Sequence, residues 1–284
     1  MLAYRHIFHA GNVADVFKHC ALVQLANSLG RKDKPFLYLD THAGIGRYDL
    51  SHPWAQKNRE YEQGIGKIFD RDDYPESVRP YLDAVRRFNP DGVLRNYPGS
   101  PGLMQALMRD QDRMVLIDLG ASDYDLLKRA FAGESRAQVR SMDGYQALKA
   151  FLPPPERRGL ILVDPPFDRR NEYARLSAAV LEAHRRFATG VYAIWYPLMQ
   201  AAAVEAFERS ILSAGLRKVL RLELSTRAPH LRQGLRGSAL LVINPPYGFD
   251  ALAGPMLRWL WQALSPDGEG HGRVKWLAGE KGPA

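Results

Sequence analysis

The stretch GLILVDPPFDRRNEY, residues 159–173, places two prolines directly after a run of aliphatic side chains. An apolar run bounded by turn signals is typical of a strand that is covered on both faces of a parallel sheet. Consecutive prolines fix φ at two positions and remove two backbone donors, so carbonyl acceptors follow Asp164 directly. The stretch therefore predicts a buried strand that ends in a rigid, acidic turn.

Similar strand-like runs occur on both sides of this stretch, and helix-length segments separate them. This alternation predicts an α/β fold with a Rossmann-like, mainly parallel, seven-stranded sheet. The strands are expected at residues 36–41, 114–119, 139–142, 160–163, 191–196, 219–224 and 239–243. About seventy residues separate the first two strands, far more than a crossover requires, and contain no convincing strand. We therefore expect a helical subdomain, residues 48–97, inserted into a main domain of residues 1–47 and 98–284. The last residues, 266–284, are expected to be loosely ordered, with docking of Val274, Trp276 and Leu277 as the alternative.

The first predicted strand is followed by a glycine-rich turn, THAGIG, at residues 41–46. Gly44 and Gly46 allow the backbone to approach a ligand closely, and His42 stands where it can touch that ligand. A dinucleotide site would need a third glycine at position 49, where this chain has Asp49. The turn therefore favours a nucleoside-like ligand without pyrophosphate and disfavours an NAD-dependent oxidoreductase.

Acidic residues also end the second and third predicted strands. Asp118 is placed to accept hydrogen bonds from both hydroxyls of a ribose; the alternative is a helix cap, a role for which Ser122 is the better candidate. Asp143 and Gly144 suit the recognition of an exocyclic amine, and the alternative is an ordinary turn. Because ligands bind beyond the carboxyl ends of the strands in doubly wound sheets, we expect these acids along one edge.

At the fourth strand end, Asp164 and the Pro165 carbonyl offer acceptors for both hydrogens of an exocyclic NH2 group. Binding both hydrogens would free the nitrogen lone pair for attack, and Phe167 would offer a face on which a base can stack. These three residues are the predicted catalytic set. The alternative is a proline-terminated strand with an aromatic plug.

A near copy of the pattern, SALLVINPPYGF at residues 238–249, is a rival because Asn-Pro-Pro-Tyr suits the same chemistry. Asn244 ends the seventh predicted strand, which we expect to be antiparallel, so its end would point away from the ligand edge. We therefore assign the chemistry to Asp164, although the local sequence alone leaves both candidates open.

The composition limits the class of protein further. A formal charge of +8 fits a polyanionic partner, and equally a soluble protein that is merely basic. No apolar run reaches the roughly 20 residues that span a bilayer, and charged residues interrupt the N-terminus, so we expect no membrane span and no secretory signal. Cys20 is the only cysteine, which excludes an internal disulfide and a thiolate-rich zinc site. We expect a cytoplasmic protein that needs no metal.

Five segments together resemble the class I S-adenosylmethionine-dependent methyltransferases that act on N6 of adenine, and within them a family that methylates 23S ribosomal RNA. These segments are YRHIFHAGNVADVFKH (4–19), FLYLDTHAGIGRY (36–48), YPGSPGL (97–103), MDGYQAL (142–148) and LVDPPF (162–167). The resemblance covers essentially the whole chain, including the insertion. The N-terminal segment is long and unusual, which makes it more specific than the glycine turn.

The resemblance also implies roles for individual residues. The residues that would line the S-adenosylmethionine pocket are His19, His42, Ser100, Asp118, Asp143, Gly144 and Asp164, to which the glycine turn adds Gly44. Tyr4 would lie in a mobile N-terminal tail and contact the target base, with Lys18 near the same pocket. From the residues alone, we would interpret Tyr4 as a tail residue, and Lys18 and His19 as an ordinary helix surface.

The expected activity is the methylation of N6 of an adenine in 23S ribosomal RNA by a monomeric enzyme that uses S-adenosylmethionine. A DNA adenine-N6 methyltransferase would use the same strand ends. A non-catalytic, basic RNA-binding protein would not bind the cofactor. The insertion is expected to help dock RNA.

Overall fold

The computed structural model describes residues 5–226, 237–265 and 267–280. Its strands are β1 (Leu37–Asp40), β2 (Arg47–Asp49), β3 (Asn96–Pro98), β4 (Arg113–Asp118), β5 (Ala137–Ser141), β6 (Gly159–Val163), β7 (Val191–Pro197), β8 (Val219–Ser225), β9 (Gly237–Ile243) and β10 (His271–Ala278). Its α-helices are α1 (Val13–Gly30), α2 (Pro53–Asn58), α3 (Ile65–Ile68), α4 (Arg79–Arg87), α5 (Ser100–Leu107), α6 (Ala121–Ala130), α7 (Gly144–Phe151), α8 (Glu172–Arg186), α9 (Ala201–Ser213) and α10 (Phe249–Leu264). Short 3-10 helices lie at His6–Phe8 and Glu60–Gln63.

The main sheet has the strand order β10-β8-β9-β7-β6-β1-β4-β5. The five strands from β7 to β5 pair in parallel, whereas β9, β8 and β10 join by antiparallel pairing. All seven predicted strands are present, and the mainly parallel α/β fold is confirmed. The carboxyl ends of β1, β4, β5 and β6 consequently meet at one edge of the sheet.

The predicted number of seven strands is wrong, because the chain segment that we expected to be loosely ordered forms an eighth strand. Strand β10 pairs with β8 from His271 to Ala278. Val274 and Trp276 pack towards the core, while Arg273 and Lys275 are exposed. Such alternation suits a strand at the edge of a sheet, where exposed charges discourage pairing with another chain.

Two apolar layers cover the faces of the sheet because successive side chains of a strand point to opposite sides. On β1, Tyr38 packs into the layer that contains α1, α4, α5 and α10, whereas Leu37 and Leu39 pack into the layer formed by α7, α8 and α9. Within the described residues no helix is both long and apolar enough to cross a membrane.

Helix α1 is buried over most of its length because it packs against the sheet, α5 and α10. Asn12 begins the helix by accepting a hydrogen bond from Asp15 N at 3.0 Å. Lys18 and His19 are only 4% and 1% exposed, so the alternative that they form an ordinary helix surface is wrong. A buried lysine requires partners, which the site supplies.

The insertion is closed at its base by a small antiparallel sheet in which Arg47 of β2 faces Pro98 of β3. The prediction that this region holds no strand is therefore wrong at its two ends. Helices α3 and α4 belong to the same core as α1, and Tyr81 and Tyr97 are fully buried there. The division of the chain at residues 48 and 97 stays a prediction.

Candidate active site

A cleft of about 1170 Å³ lies beyond the carboxyl ends of β1, β4, β5 and β6. The predicted residues that line it are His19, His42, Gly44, Ser100, Asp118, Asp143, Gly144 and Asp164, together with Lys18, Pro165 and Phe167. The structure thus brings together residues that are up to about 150 positions apart in the sequence, as the sheet order requires. Tyr4, which was predicted to contact the target base, lies outside the described residues.

The turn after β1 holds Asp118 through the main chain. Gly44 N donates to one carboxylate oxygen of Asp118 at 3.1 Å, and Gly120 N donates to the other at 2.8 Å. Gly44 has φ +60°, and a Cβ atom there would lie 2.3 Å from the Tyr48 hydroxyl, so a side chain would strain this turn. Burial raises the pKa of Asp118 to about 6, which still leaves the group mainly ionised at pH 7.

The start of α6 differs from the prediction. Gly120, not Ser122, occupies the N-cap position. The Ser122 hydroxyl instead accepts a hydrogen bond from the Arg5 guanidinium at 2.6 Å, and Arg5 also pairs with Asp123 at 2.9 Å. This arrangement attaches the N-terminal segment to the rim of the cleft beside Asp118.

Asp143 has a local structural role at the start of α7, and recognition of an exocyclic amine by this residue stays a prediction. Its Oδ1 caps α7 by accepting from Tyr145 N at 2.9 Å and Gln146 N at 3.1 Å, while its Oδ2 lies 3.6 Å from the Arg175 guanidinium. Only glycine fits at position 144, because a Cβ atom there would lie 2.2 Å from the Thr41 carbonyl oxygen. The helix can therefore begin directly against the turn after β1.

Two histidines of the cleft are held in the neutral form. Burial lowers the pKa of His42 to about 4, and its Nδ1 lies 2.8 Å from the Thr41 hydroxyl. Burial also lowers the pKa of His19 to about 3, and its Nδ1 lies 2.8 Å from the Tyr97 hydroxyl. These rings offer polar atoms to a ligand without adding positive charge.

Ser100 contacts a buried acid whose role the sequence did not reveal. Its hydroxyl donates to Asp40 Oδ2 at 2.6 Å, and the Tyr38 hydroxyl donates to the same oxygen at 2.7 Å. Burial raises the pKa of Asp40 to about 6, against the lowering effect of these hydrogen bonds. Ser100 thereby attaches the start of α5 to the end of β1.

Asp164 forms an ion pair with Lys18, whose ammonium contacts its Oδ2. Lys18 also donates to Asp15 Oδ1 at 2.9 Å. Burial opposes the charged form of Lys18, but Asp15 and Asp164 together raise the pKa of Lys18 above its usual value. No hydrogen bond to Asp164 Oδ1 is present among the described residues, so that oxygen can accept from a ligand.

Phe167 has φ +51°, a left-handed conformation that is uncommon and strained for an aromatic residue. Its ring centroid lies 4.8 Å from that of Tyr173 and 5.9 Å from that of Trp195, the latter at 75°. Sequence reasoning missed Trp195. The register of the sheet explains its place, because β7 pairs in parallel beside β6 and Val163 faces Ile194, which places the next residues of both strands together.

The Asn-Pro-Pro-Tyr copy lies near the start of β7, at the end of the parallel strands opposite to the cleft. Strand β9 is antiparallel to β7, as predicted, and Ile243 faces Tyr192 near the start of β7. The Asn244 amide donates to the carbonyl oxygens of Ala188 and Gly190 at 2.8 and 2.9 Å, and Tyr247 is fully exposed. The copy therefore closes a loop far from the acidic strand ends.

Five parallel strands, an antiparallel edge and a row of strand-end acids around a nucleoside-sized cleft together define a class I methyltransferase fold. Residues 33–278 match the family model described as Ribosomal RNA large subunit methyltransferase D, RlmJ. The chain is 45% identical to the Ribosomal RNA large subunit methyltransferase J of Escherichia coli, with 99% of this chain and all of the relative covered. It is 41% identical to the protein of the same name from Haemophilus influenzae, again over 99% of this chain and all of the relative.

A crystal structure of a Legionella pneumophila protein superposes with a TM-score of 0.89 at 37% identity, covering 96% of this chain and 99% of that one. A probable spermidine synthase from Corynebacterium glutamicum, 11% identical with a TM-score of 0.50 over 92% of this chain and 74% of its own, shares the fold alone. The chain belongs to the RlmJ family of ribosomal RNA large subunit methyltransferases, as the sequence motifs predicted. The methyl donor of this enzyme family is S-adenosylmethionine.

The cleft suits this cofactor in charge and in chemistry. S-Adenosylmethionine carries a sulfonium cation and a ribose, and the cleft offers the carboxylates of Asp118, Asp143 and Asp164 beside the neutral rings of His19 and His42. Among the described residues, no group of three or more His, Cys, Asp or Glu side chains is arranged to hold a metal ion.

Proposed function

We propose that the protein transfers the methyl group of S-adenosylmethionine to N6 of an adenine in 23S ribosomal RNA. The curated relatives from Escherichia coli and Haemophilus influenzae, named as large-subunit ribosomal RNA methyltransferases, support the substrate class. The observation that carries the proposal is the placement of Asp164, Pro165 and Phe167 in the cleft that also contains Asp118. Residues that could accept an exocyclic amine therefore line the same cleft as a residue that could accept a ribose.

Each residue that would hold the cofactor suits a particular chemical group of that molecule. Asp118 would accept hydrogen bonds from the ribose hydroxyls, since it lines the cleft and each of its oxygens accepts one main-chain hydrogen bond and can accept a second. Asp143 and Gly144 would face the exocyclic amine of the cofactor's adenine, and His42 and Gly44 would line the space between. His19, Ser100 and Asp164 would complete the pocket. When bound, the cofactor supplies a methyl group that the sulfonium already activates.

The target amine would be oriented rather than strongly deprotonated. Asp164 Oδ1 and the Pro165 carbonyl accept its two hydrogens, which frees the nitrogen lone pair, while Lys18 occupies Oδ2. Because Lys18 balances the carboxylate charge, we assign Asp164 an orienting role and expect the released proton to leave to water. Most of the rate gain then comes from positioning.

The walls of the cleft would hold the base by stacking. Phe167 and Trp195 meet at 75°, so they can contact a base by its face and by its edge. Because N6 is inaccessible inside a paired helix, the adenine must come from a single-stranded segment or be turned out of its stack. Tyr4 is proposed to contact the same base, on the ground of the sequence resemblance alone.

A product assay tests the proposal. The enzyme is incubated with methyl-labelled S-adenosylmethionine and, separately, with protein-free 23S ribosomal RNA, assembled large subunits and duplex DNA. Each nucleic acid is digested and its nucleosides are identified by mass spectrometry. N6-methyladenosine from ribosomal RNA is the expected product. Label in DNA would show that the substrate is DNA and not ribosomal RNA. Binding of the cofactor without transfer to any nucleic acid would support the cofactor pocket and reject the proposed substrate.

The remaining expectations concern the state and location of the enzyme. We propose that it acts as a monomer in the cytoplasm, where its RNA substrate is made. Light scattering of the purified protein, alone and with RNA, tests the first part, and a dimeric mass that persists on dilution would reject it.

A further inference from the structure

Asp15 is a buried acid on the first turn of α1 that joins two parts of the cleft. It is 2% exposed, and both of its oxygens have partners. Oδ1 accepts from the Lys18 ammonium at 2.9 Å, whereas Oδ2 lies 2.9 Å from His6 Nε2 and accepts from Gly11 N at 3.0 Å. One carboxylate therefore connects the N-terminal segment with the lysine that contacts Asp164.

Charge explains why Asp15 stays ionised at this depth. Burial alone would raise the pKa of Asp15, but His6 and Lys18 hold it well below its usual range. An ionised acid and an ionised lysine can be buried together only because each compensates the other. Lys18 thus lies between two carboxylates, Asp15 on its own helix and Asp164 at the end of β6.

The double pairing limits where the Lys18 ammonium can be. The lysine side chain is long and flexible, and a lysine bound by one carboxylate alone can move between its two oxygens. Contact with Asp15 Oδ1 holds the ammonium on the Oδ2 side of Asp164. The other oxygen of Asp164 is then kept for the target amine.

We propose that Asp15 is a positioning residue for methyl transfer, which keeps Lys18 on one oxygen of Asp164. This proposal rests on the proposed function, because it requires that the amine of the target adenine binds Asp164. Asp15 touches no reacting atom, and it acts through Lys18.

The substitution Asp15→Asn tests this role because it keeps the size and removes the charge. Asp112→Asn is a matched control: Asp112 is also 2% exposed, and it pairs with Arg109 at 2.9 Å just before β4 begins, at the sheet edge opposite the cleft. Both changes should lower the free energy of unfolding. Only Asp15→Asn should lower kcat, by about tenfold or more, with KM for S-adenosylmethionine within about twofold of the wild-type value.

A double-mutant cycle separates action through Lys18 from a general loss of structure. Lys18→Met removes the ammonium and keeps much of the apolar stem. In the Lys18→Met background, Asp15→Asn should change kcat by less than about twofold, since the residue through which it acts is gone. An equal loss of kcat in both backgrounds, or wild-type kcat in the single variant, would overturn the proposal.

A second readout does not depend on activity. Acetic anhydride labels neutral lysines, and the Lys18 peptide can be quantified against the exposed Lys57 of the same chain. Without Asp15 the ammonium is less stabilised, so Lys18 should be acetylated several-fold faster in Asp15→Asn and at the wild-type rate in Asp112→Asn. An unchanged rate in Asp15→Asn would reject the positioning role.

The two assays distinguish the failure of each proposal. An enzyme that methylates none of the nucleic acids, yet shows faster acetylation of Lys18 in Asp15→Asn, would reject the proposed function and keep Asp15 as the residue that holds Lys18. If Asp15→Asn does not fold, the smaller Asp15→Ser, which retains an acceptor for Gly11 N, takes its place in both assays.

Discussion

Phe167 combines an uncommon backbone conformation with an aromatic contact on each of two neighbours, Tyr173 and Trp195. Loss of its ring should weaken the binding of a stacked base by about 1–3 kcal/mol. Phe167→Leu should therefore lower kcat/KM for RNA by about 5- to 150-fold, whereas Phe167→Tyr should stay close to the wild-type value. Steady-state methylation of ribosomal RNA measures both, and equal activity of the leucine variant would exclude stacking.

His19 gives the fold a defined sensitivity to acid. Its pKa is about 3 in the folded state, below the ordinary histidine value of about 6.5. Between these pH values His19 binds a proton in the unfolded chain but not in the folded one. The free energy of unfolding therefore keeps its full value above pH 6.5 and decreases as the pH falls. The limiting slope is about 1.4 kcal/mol per pH unit.

Asp40, with a pKa raised to about 6, stabilises the folded state as the pH falls below that value and so opposes the effect of His19. Because Asp40 is present in both proteins, comparison of the wild type with His19→Asn isolates the contribution of His19. The free energy of unfolding in urea, measured at pH 7, 6, 5 and 4, should fall more steeply for the wild type than for His19→Asn. Parallel curves would mean that His19 is not held neutral in the fold.

Single residues differed in how far the sequence could predict them. The positions of Asp118, Asp143 and Asp164 follow from the rule that strand ends face the ligand, so the structure brings them to one cleft. Asp15 and Trp195 were missed because the contacts that single them out are with Asp164, through Lys18, and with Phe167, far away in the sequence. Only the packing of α1 and β7 against β6 reveals those contacts.

At the scale of elements, β10 is the main departure from the sequence-based expectation. Its glycines and charges suggested loose order, yet every second residue packs inward against β8 and α10. The alternation can be recognised as a strand only once β10 is known to pair with β8 at the edge of the sheet, because an edge strand tolerates exposed charges on its outer side.

Removal of β10 is expected to expose the hydrogen-bonding edge of β8 and the apolar surface that Val274 and Trp276 cover. A chain that ends before His271 should lose several kcal/mol of unfolding free energy and should aggregate at concentrations where the full chain does not. Urea denaturation and light scattering test this prediction. Wild-type stability of the shortened chain would restore the view that this segment is loosely ordered.

The insertion shows a similar limit of prediction. Its helices and its place after β1 follow from the sequence, but its two buried tyrosines could not be assigned to a shared core without the structure. Deletion of residues 48–97 would remove Tyr97 from His19 and Tyr81 from the core, so it cannot test RNA docking in isolation. Charge reversal of the exposed Lys57 is a milder way to ask whether this surface contacts RNA.

At the scale of the whole molecule, the charge of +8 is the property most relevant to an RNA substrate. Neutralising phosphates releases counterions, so affinity should fall with the logarithm of salt concentration. Between about 50 and 200 mM salt we expect RNA affinity to fall by about 10- to 100-fold. Fluorescence anisotropy with a labelled RNA fragment measures the slope, and affinity that does not depend on salt would contradict an electrostatic interface.

The most direct test of the account compares the two proline-proline motifs within one product assay. Wild type, Asp164→Ala and Asn244→Ala are each incubated with labelled S-adenosylmethionine and 23S ribosomal RNA, and N6-methyladenosine is quantified per folded chain. We predict that Asp164→Ala keeps its fold and loses at least about 99% of its turnover, because the target amine is no longer oriented. Asn244→Ala should lose stability with its two hydrogen bonds and keep its turnover. An active Asp164→Ala beside an inactive Asn244→Ala would contradict the assignment of the active site.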